Sequence, residues 1–321
     1  MSTELVTLAR NPVPSGATVG MFQGHDGTAL RYAHWEPTRT PRRGTVCVFP
    51  GRGEFIEKYF EVISDLRRRG FSVAIHDWRG QGGSQRPLDN PRKGHVRSFS
   101  EYGRDLARFM QDAVLPNCPP PYVALAHSMG GNMLLHNAIA ADSWFDRMVL
   151  SAPMVTIADE KLGAPRALVR LYAELLGWGP TGQLYVRGGS DKPEELRDFQ
   201  NNPLTSDQER FRRTQQLIEV APHLALGGPT VAWLRAALRS CASLMQPEFA
   251  LRVRVPVLMV AAGNDRIVSS AAIEELANRM KIGARVVIAG SQHEILQERD
   301  EVRQRFWAAF DAYLGITAAA A

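Results

Sequence analysis

A serine hydroxyl becomes an acyl-transfer nucleophile only when a base takes its proton and fixed donors meet the negative charge that follows. Ser128 stands in YVALAHSMGGNMLL, residues 122–135, between an apolar strand-like run and an apolar helix-like run. A strand-to-helix turn that presents a nucleophile is sharp and strained, so the residues two before and two after it must be small. Ala126 and Gly130 meet that demand, although glycine is the usual first residue and the methyl of Ala126 has to fit against the neighbouring helix. Gly131 allows further close packing. Such a turn puts Ser128 at a helix N-terminus, where free N–H groups and the helix dipole favour developing negative charge. Taken alone the pattern is weak, since serines after strands are common.

The serine needs a base, and the base needs an orienting acid. On a strand-turn-helix nucleophile the chain order is Ser, then Asp or Glu, then His. AAGNDRIVS offers Asp265 and IAGSQHEIL offers His293, each just past an apolar strand-like run. Open α/β sheets place their ligands at that end of the strands. Singly, Asp265 reads as well as a helix cap and His293 as a surface histidine; together with Ser128, in this order, they read as acid and base. An oxyanion hole would take one N–H from Met129, after the nucleophile, and one from the loop FPGRGEF. Gly51 and Gly53 let that loop bring the main-chain amide of Arg52 close to a substrate, although a simple tight turn is the plainer reading. For His127, packing is preferred over a polar role. His76, in AIHDW, is assigned to strand packing, and His95, His136 and His223 have no legible partner. DWRGQGGS lacks both GxGxxG and GxxxxGK[ST], which argues against a nucleotide site.

The elements around these residues alternate. TVGMFQGHDGTALRYAHWEP reads as two strands joined through GHDG. GTVCVFP, FSVAIHDW, YVALAH and RMVLSAP read as buried strands, and EKYFEVISDLRRRG has helical spacing with a glycine stop. SFSEYGRDLARFMQDAVL opens with Ser98 three residues before Glu101, a capping-box pattern. From about 154 to 249 no good strand is found; helices are predicted at 164–177, 207–220 (opened by Ser206 and Glu209) and 229–245. VPVLMVAAG, SAAIEELANRMKIG, ARVVIAG and RQRFWAAFDAYL then restore strand, helix, strand and helix. This predicts an α/β class chain with a mostly parallel sheet flanked by helices. The core would be discontinuous, 1–153 and 250–315, with a helical insertion at 154–249 and a frayed tail at 316–321.

The composition of the 321 residues, 45% hydrophobic and 22% charged, is that of a globular protein. The net charge of +5 invites a nucleic-acid or membrane partner. Only five of the 38 basic residues are lysine, leaving 33 scattered arginines, which reads as a solvated face and not a nucleic-acid surface. Weak attraction to anionic lipid stays open. Cys47, Cys118 and Cys241 form no metal or disulfide pattern, so no metal site is assigned and a reducing compartment is expected. The amino terminus lacks a signal-peptide pattern and no run of about 18 apolar residues exists.

FPGRGEFIEKY, DWRGQGGS, GHVRSFSEYGRDL, LAHSMGG, LGGPTVAWL, GNDRIV and SQHEILQERD together resemble the bacterial lysophospholipase branch of the α/β-hydrolases, close to monoacylglycerol lipases. The likeness runs from about residue 46 to 310. It implies a cofactor-free serine hydrolase with Ser128, Asp265 and His293 as triad and the amides of Arg52 and Met129 as oxyanion donors. It also implies that 154–249 is a cap over an acyl pocket. Trp233 and Leu234 would then touch the acyl chain, although an amphipathic helix packed on the core would use the same two residues. The expected activity is hydrolysis of a lysophospholipid or monoacylglycerol through an acyl-enzyme. A general carboxylesterase, an acyltransferase and a binding protein on the same fold are the rivals. The expected location is cytoplasmic, with peripheral contact at the inner face of the membrane; oligomeric state leaves no mark in the sequence.

Overall fold

The computed structural model describes residues 3–316, so positions 317–321 of the expected tail lie outside the described residues. Eight strands form one sheet: β1 (Thr18–Gln23), β2 (Ala29–Trp35), β3 (Thr45–Phe49), β4 (Ser72–His76), β5 (Tyr122–His127), β6 (Arg147–Ser151), β7 (Val257–Ala262) and β8 (Gly283–Ile288). Their order is β1-β2-β4-β3-β5-β6-β7-β8. β1 and β2 form the expected antiparallel hairpin, and β2 is antiparallel to β4. Every pairing from β4 to β8 is parallel. β3, β4 and β7 are buried along their whole length, as near-continuous apolar runs inside a parallel sheet should be.

The helices are α1 (Phe60–Arg68), α2 (Phe99–Phe109), α3 (Met129–Asn137), α4 (Asp159–Leu162), α5 (Arg166–Leu176), α6 (Gln208–Val220), α7 (Val231–Leu244), α8 (Pro247–Arg252), α9 (Ser270–Arg279) and α10 (Asp300–Leu314). Ser98 and Glu101 make the expected capping box on α2, Glu101 Oε1 accepting the N–H of Ser98 at 3.0 Å. The opening of α6 differs from expectation. Asp207, not Ser206, caps it, accepting the N–H of Arg210 at 2.8 Å. Glu298 explains the change: it accepts both the hydroxyl of Ser206, at 2.5 Å, and its N–H, at 3.1 Å. Between β6 and β7 the chain runs through α4 to α8 without adding a strand to the sheet. Short bridges, Gly94 with Pro229 and Tyr185 with Thr230, tie this segment to the core and to itself. α8 spans the expected join at 249/250.

Chain direction sets where a site can form. β3 neighbours β4 on one side and β5 on the other, so the loops leaving β3 and β5 open beside each other at a switch point. The register pairs Phe49 with Ala126, which brings the loop beginning at Pro50 level with the turn at Ser128. Beneath it, His76 packs among Trp78 and Phe109, with ring centroids 4.5 Å away in each case, and neither ring nitrogen finds a partner. Burial pushes its pKa down to about 3, so it is a neutral core residue, as expected.

The reading of the basic residues as solvated fails at Arg31. It is fully buried, donating from Nε to Asp77 at 2.7 Å and from both terminal nitrogens to Glu57 at 2.8 Å. Asp77 also accepts the N–H groups of Ile56 (2.9 Å) and Gly83 (2.8 Å), tying β2, the loop after β4 and the turn after β3 into one knot. Removing one member of such a set leaves an uncompensated buried charge, which costs about 3–5 kcal/mol.

Candidate active site

Ser128 joins β5 to α3 at φ 50° and ψ −112°, a backbone region that costs a non-glycine residue roughly 1–3 kcal/mol. The surroundings hold it there. Its N–H donates to the carbonyl of Ser151 at 3.0 Å, and its carbonyl accepts from Met154 at 2.9 Å. Gly130 explains the small-residue demand: a Cβ there would lie 2.2 Å from the carbonyl oxygen of Phe49 and 2.7 Å from that of Pro50. The start of α3 therefore touches the backbone leaving β3.

The three side chains expected from the loops after β5, β7 and β8 meet. His293 Nε2 lies 2.9 Å from Ser128 Oγ, and His293 Nδ1 lies 2.8 Å from Asp265 Oδ2. An ionised carboxylate only accepts, so Nδ1 carries the proton and Nε2 is left to accept from the serine hydroxyl. The other oxygen of Asp265 accepts the N–H groups of Ile267 (2.8 Å) and Val268 (3.0 Å). The helix-cap reading of Asp265 does not hold: Ser269 caps α9, accepting the N–H of Ala272 at 3.2 Å, and the amides on Asp265 belong to the turn before it. Burial alone would raise the pKa of Asp265; His293 and the two amides override that and hold it below the ordinary value. Ser128 is only 7% exposed and His293 only 3%, so this hydrogen-bonded run lies largely out of water.

The loop after β3 is clamped on both sides of Arg52. The N–H of Gly51 donates to Glu54, and the N–H of Gly53 donates to Gln81 Oε1 at 3.0 Å. Gln81 returns a bond from Nε2 to the carbonyl of Gly51 at 3.1 Å. Between these two engaged amides, the N–H of Arg52 is taken by no other group among the described residues. Met129 is the first residue of α3, so its N–H has no intrahelical acceptor. Both N–H groups named in the sequence as oxyanion donors are thus left without an acceptor among the described residues.

Sequence reasoning missed what positions this loop. His127 does more than pack. Its Nδ1 lies 3.0 Å from Glu54 Oε2, and its Nε2 lies 3.3 Å from the carbonyl oxygen of His293. Glu54 also accepts from Tyr59 (2.6 Å), and Lys58 Nζ bridges Glu54 (3.1 Å) and Glu294 (2.6 Å). Burial disfavours charge on both partners, yet each stabilises the other. Glu54 is held well below the carboxylate range by His127 and Lys58, and His127 is raised by Glu54. A protonated His127 donates from both nitrogens, to Glu54 and to the backbone of His293, linking the loop after β3 to the loop after β8.

The pH consequence follows from those directions. The raised His127 contributes stability that is complete below its unfolded value near 6.5 and is lost as pH rises through its folded value. Glu54 contributes stability that is present above 4.5 and is lost as pH falls through its folded value. Glu54→Gln removes the charge that holds both, so the alkaline loss of melting temperature in the wild type should flatten in the variant. Scanning calorimetry from about pH 5 to 8 tests this; parallel curves would refute it. Turnover should drop by up to about 100-fold, the scale of one oxyanion donor.

The remaining expected residues lie close by. Trp233 packs edge-on against Phe99, 5.7 Å between centroids, with the guanidinium of Arg52 5.3 Å from its ring. Leu234 is buried in the same layer. Both also serve as the packed face of α7, as the plainer reading required. His95 pairs with Thr230 (3.0 Å) and His136 with Ser240 (2.8 Å). One histidine–carboxylate group among the described residues, His25, Asp26 and Asp105, brings its ligand atoms within 4.8 Å of one another. Arg79 donates to both acids, so a positive charge already stands there.

Residues 40–300 match the family model described as serine aminopeptidase, S33. This chain belongs to that family. Among similar proteins, lysophospholipase L2 of Escherichia coli K12 is 31% identical over 292 residues, covering 88% of this chain and 83% of that protein. The monoacylglycerol lipase of Mycolicibacterium smegmatis is 24% identical over 282 residues, covering 87% and 91%. A soluble variant of the Saccharomyces cerevisiae monoglyceride lipase, solved with a substrate analogue, shares the fold with a TM-score of 0.72 at 18% identity, covering 94% of this chain and 97% of that one. The S33 match runs across the segment between β6 and β7.

Proposed function

We propose that this S33 family member is a serine ester hydrolase acting on lipid-like carboxylic esters, lysophospholipids or monoacylglycerols, through an acyl-enzyme. The observation that carries the reading is the unbroken hydrogen-bonded run from Ser128 through His293 to Asp265, at 2.9 and 2.8 Å, beginning on a strained turn beside two N–H donors. His293 takes the proton of Ser128 as Oγ attacks the ester carbonyl, and Asp265 stabilises the imidazolium. The amides of Arg52 and Met129 receive the oxyanion. His293 then protonates the leaving alcohol and activates the water that releases the acyl group. The relatives named lysophospholipase and monoacylglycerol lipase support lipid esters over peptides.

Residues 154–249 act as the cap, with Trp233 and Leu234 beside the acyl chain. The outer face of the cap supports peripheral contact with lipid. Leu168, Leu171, Leu175 and Trp178 follow helical spacing on and just after α5 and are each 55% or more exposed. Such a stripe beside Arg166 and Arg170, on a chain of net charge +5, suits an anionic membrane surface. No helix of the described residues is long and apolar enough to cross a membrane. A cytoplasmic, reducing location is supported by three free buried cysteines.

The test combines fluorophosphonate labelling with hydrolysis of lysophospholipids, monoacylglycerols and short p-nitrophenyl esters, and with flotation on phosphatidylglycerol vesicles. Labelling at Ser128, preferred cleavage of the long-chain lipids and flotation are expected. Reaction with short soluble esters alone removes the lipid assignment, absence of label removes the enzyme reading, and failure to float removes the membrane contact.

A further inference from the structure

The mechanism uses Arg52 only through its backbone, yet its side chain is a cation left largely without partners. From the clamped loop it runs into the seam between the core segment around Gly94 and the cap. Its guanidinium lies against Gly94, where a Cβ would come 2.5 Å from Nη2. Among the described residues its one hydrogen bond goes from Nη2 to the carbonyl oxygen of Gly227, at 2.5 Å. Nε is buried with no acceptor. Glu194 and Glu195 of the cap act on it only from beyond ion-pair distance. Burial lowers its pKa, the reverse of what a carboxylate partner would do.

A second arginine, Arg92, borders the same seam from another segment. The carbonyl of Arg92 accepts the N–H of Gly227 at 2.8 Å, and its Nη1 is likewise buried with no acceptor. Tyr185, on the cap side, feels the charge of both arginines. The acids nearby are otherwise engaged. Asp191 accepts from Tyr185 and from Asn90. Glu195 faces Lys58, and burial lifts its pKa to about 7. Two arginines with donors left over, in a half-buried seam, are costly unless an anion arrives.

Resting on the ester-hydrolase reading of the same site, we propose that the side chains of Arg52 and Arg92 bind the phosphate of a 1-acyl lysophospholipid and set its preference over monoacylglycerol. The covalent geometry suits this. As many bonds separate the backbone nitrogen of an arginine from its guanidinium carbon as separate the carbonyl carbon of a 1-acyl lysophospholipid from its phosphorus. Arg52 thus meets both ends of the polar part, its N–H at the oxyanion and its guanidinium at the phosphate.

The test is the ratio of kcat/KM for 1-acyl lysophosphatidylglycerol to that for monoacylglycerol of the same chain. Charge-assisted hydrogen bonds of this kind predict that Arg52→Met lowers the ratio by about 10- to 100-fold, with Arg52→Lys recovering part of it. An unchanged ratio in Arg52→Met protein that still cleaves monoacylglycerol overturns the proposal. A second arm needs no variant: 1-alkyl ether lysophosphatidylglycerol should inhibit wild-type monoacylglycerol hydrolysis at least about 10-fold more strongly than 1-alkylglycerol. Equal inhibition overturns it. Inhibition by inorganic phosphate without any lysophospholipid preference also overturns it, since the seam would then hold free anions only. Wild-type protein that cleaves neither lipid fails the ester-hydrolase reading itself, a separate result.

Discussion

Ser128→Ala is expected to lose on the order of 10⁶-fold in kcat, because hydroxyl, imidazole and carboxylate act as a unit and the loss of the nucleophile removes the acyl-enzyme route. The residual rate, about 10³- to 10⁴-fold above the uncatalysed one, would come from the amides of Arg52 and Met129 and from substrate binding. The change removes one buried oxygen and leaves the strained turn as it was, since alanine has the same backbone demands as serine at φ 50°. Circular dichroism and thermal unfolding should therefore match wild type while monoacylglycerol turnover disappears. A folded variant retaining a tenth of wild-type turnover would exclude Ser128 as the nucleophile.

Asp265→Asn is expected to cost about 10⁴-fold in kcat, the loss that follows when the base is locked in the wrong tautomer. The direction follows from the hydrogen bonds on the carboxylate. Oδ1 accepts two amide N–H groups, from Ile267 and Val268. In the variant only the amide oxygen can satisfy them, so the NH₂ group must face His293 Nδ1. That forces Nδ1 to accept and puts the ring proton on Nε2, where it opposes the hydroxyl of Ser128 at 2.9 Å. Folding should be nearly intact because the turn bonds survive. Steady-state kinetics with a monoacylglycerol measures the effect, and a decrease of less than 10-fold would show that the carboxylate does not govern the tautomer.

The two variants probe residues that were picked out from their neighbours in the chain and that the fold brings together. The sharp turn announces itself through Ala126, Gly130 and Gly131, because steric demands there fall on adjacent positions. Asp265 and His293 were legible because each follows an apolar strand-like run in the required order. The positioning cluster was not. His127 carries no local sign of its pairing with Glu54, 73 residues away, and Lys58 meets Glu294 across 236 residues. The same holds for Ser206, whose capping pattern is sound locally but whose hydroxyl is claimed by Glu298, 92 residues on.

By itself the sequence determined the parallel sheet, and it pointed to Ser128, Asp265 and His293 in chain order and to the glycine-lined loop after β3, since all of these rest on short-range periodicity and steric limits. Only the tertiary structure decided which charges are paired: Arg31 buried against Glu57 and Asp77, His127 against Glu54, and Arg52 with one hydrogen bond, to the carbonyl of Gly227, among the described residues. The reason is the strand order. A sheet that places β3 between β4 and β5, with β6, β7 and β8 beyond, brings loops from distant parts of the chain to one rim. Ion pairing depends on which side chains share that rim, and no stretch of adjacent residues encodes it.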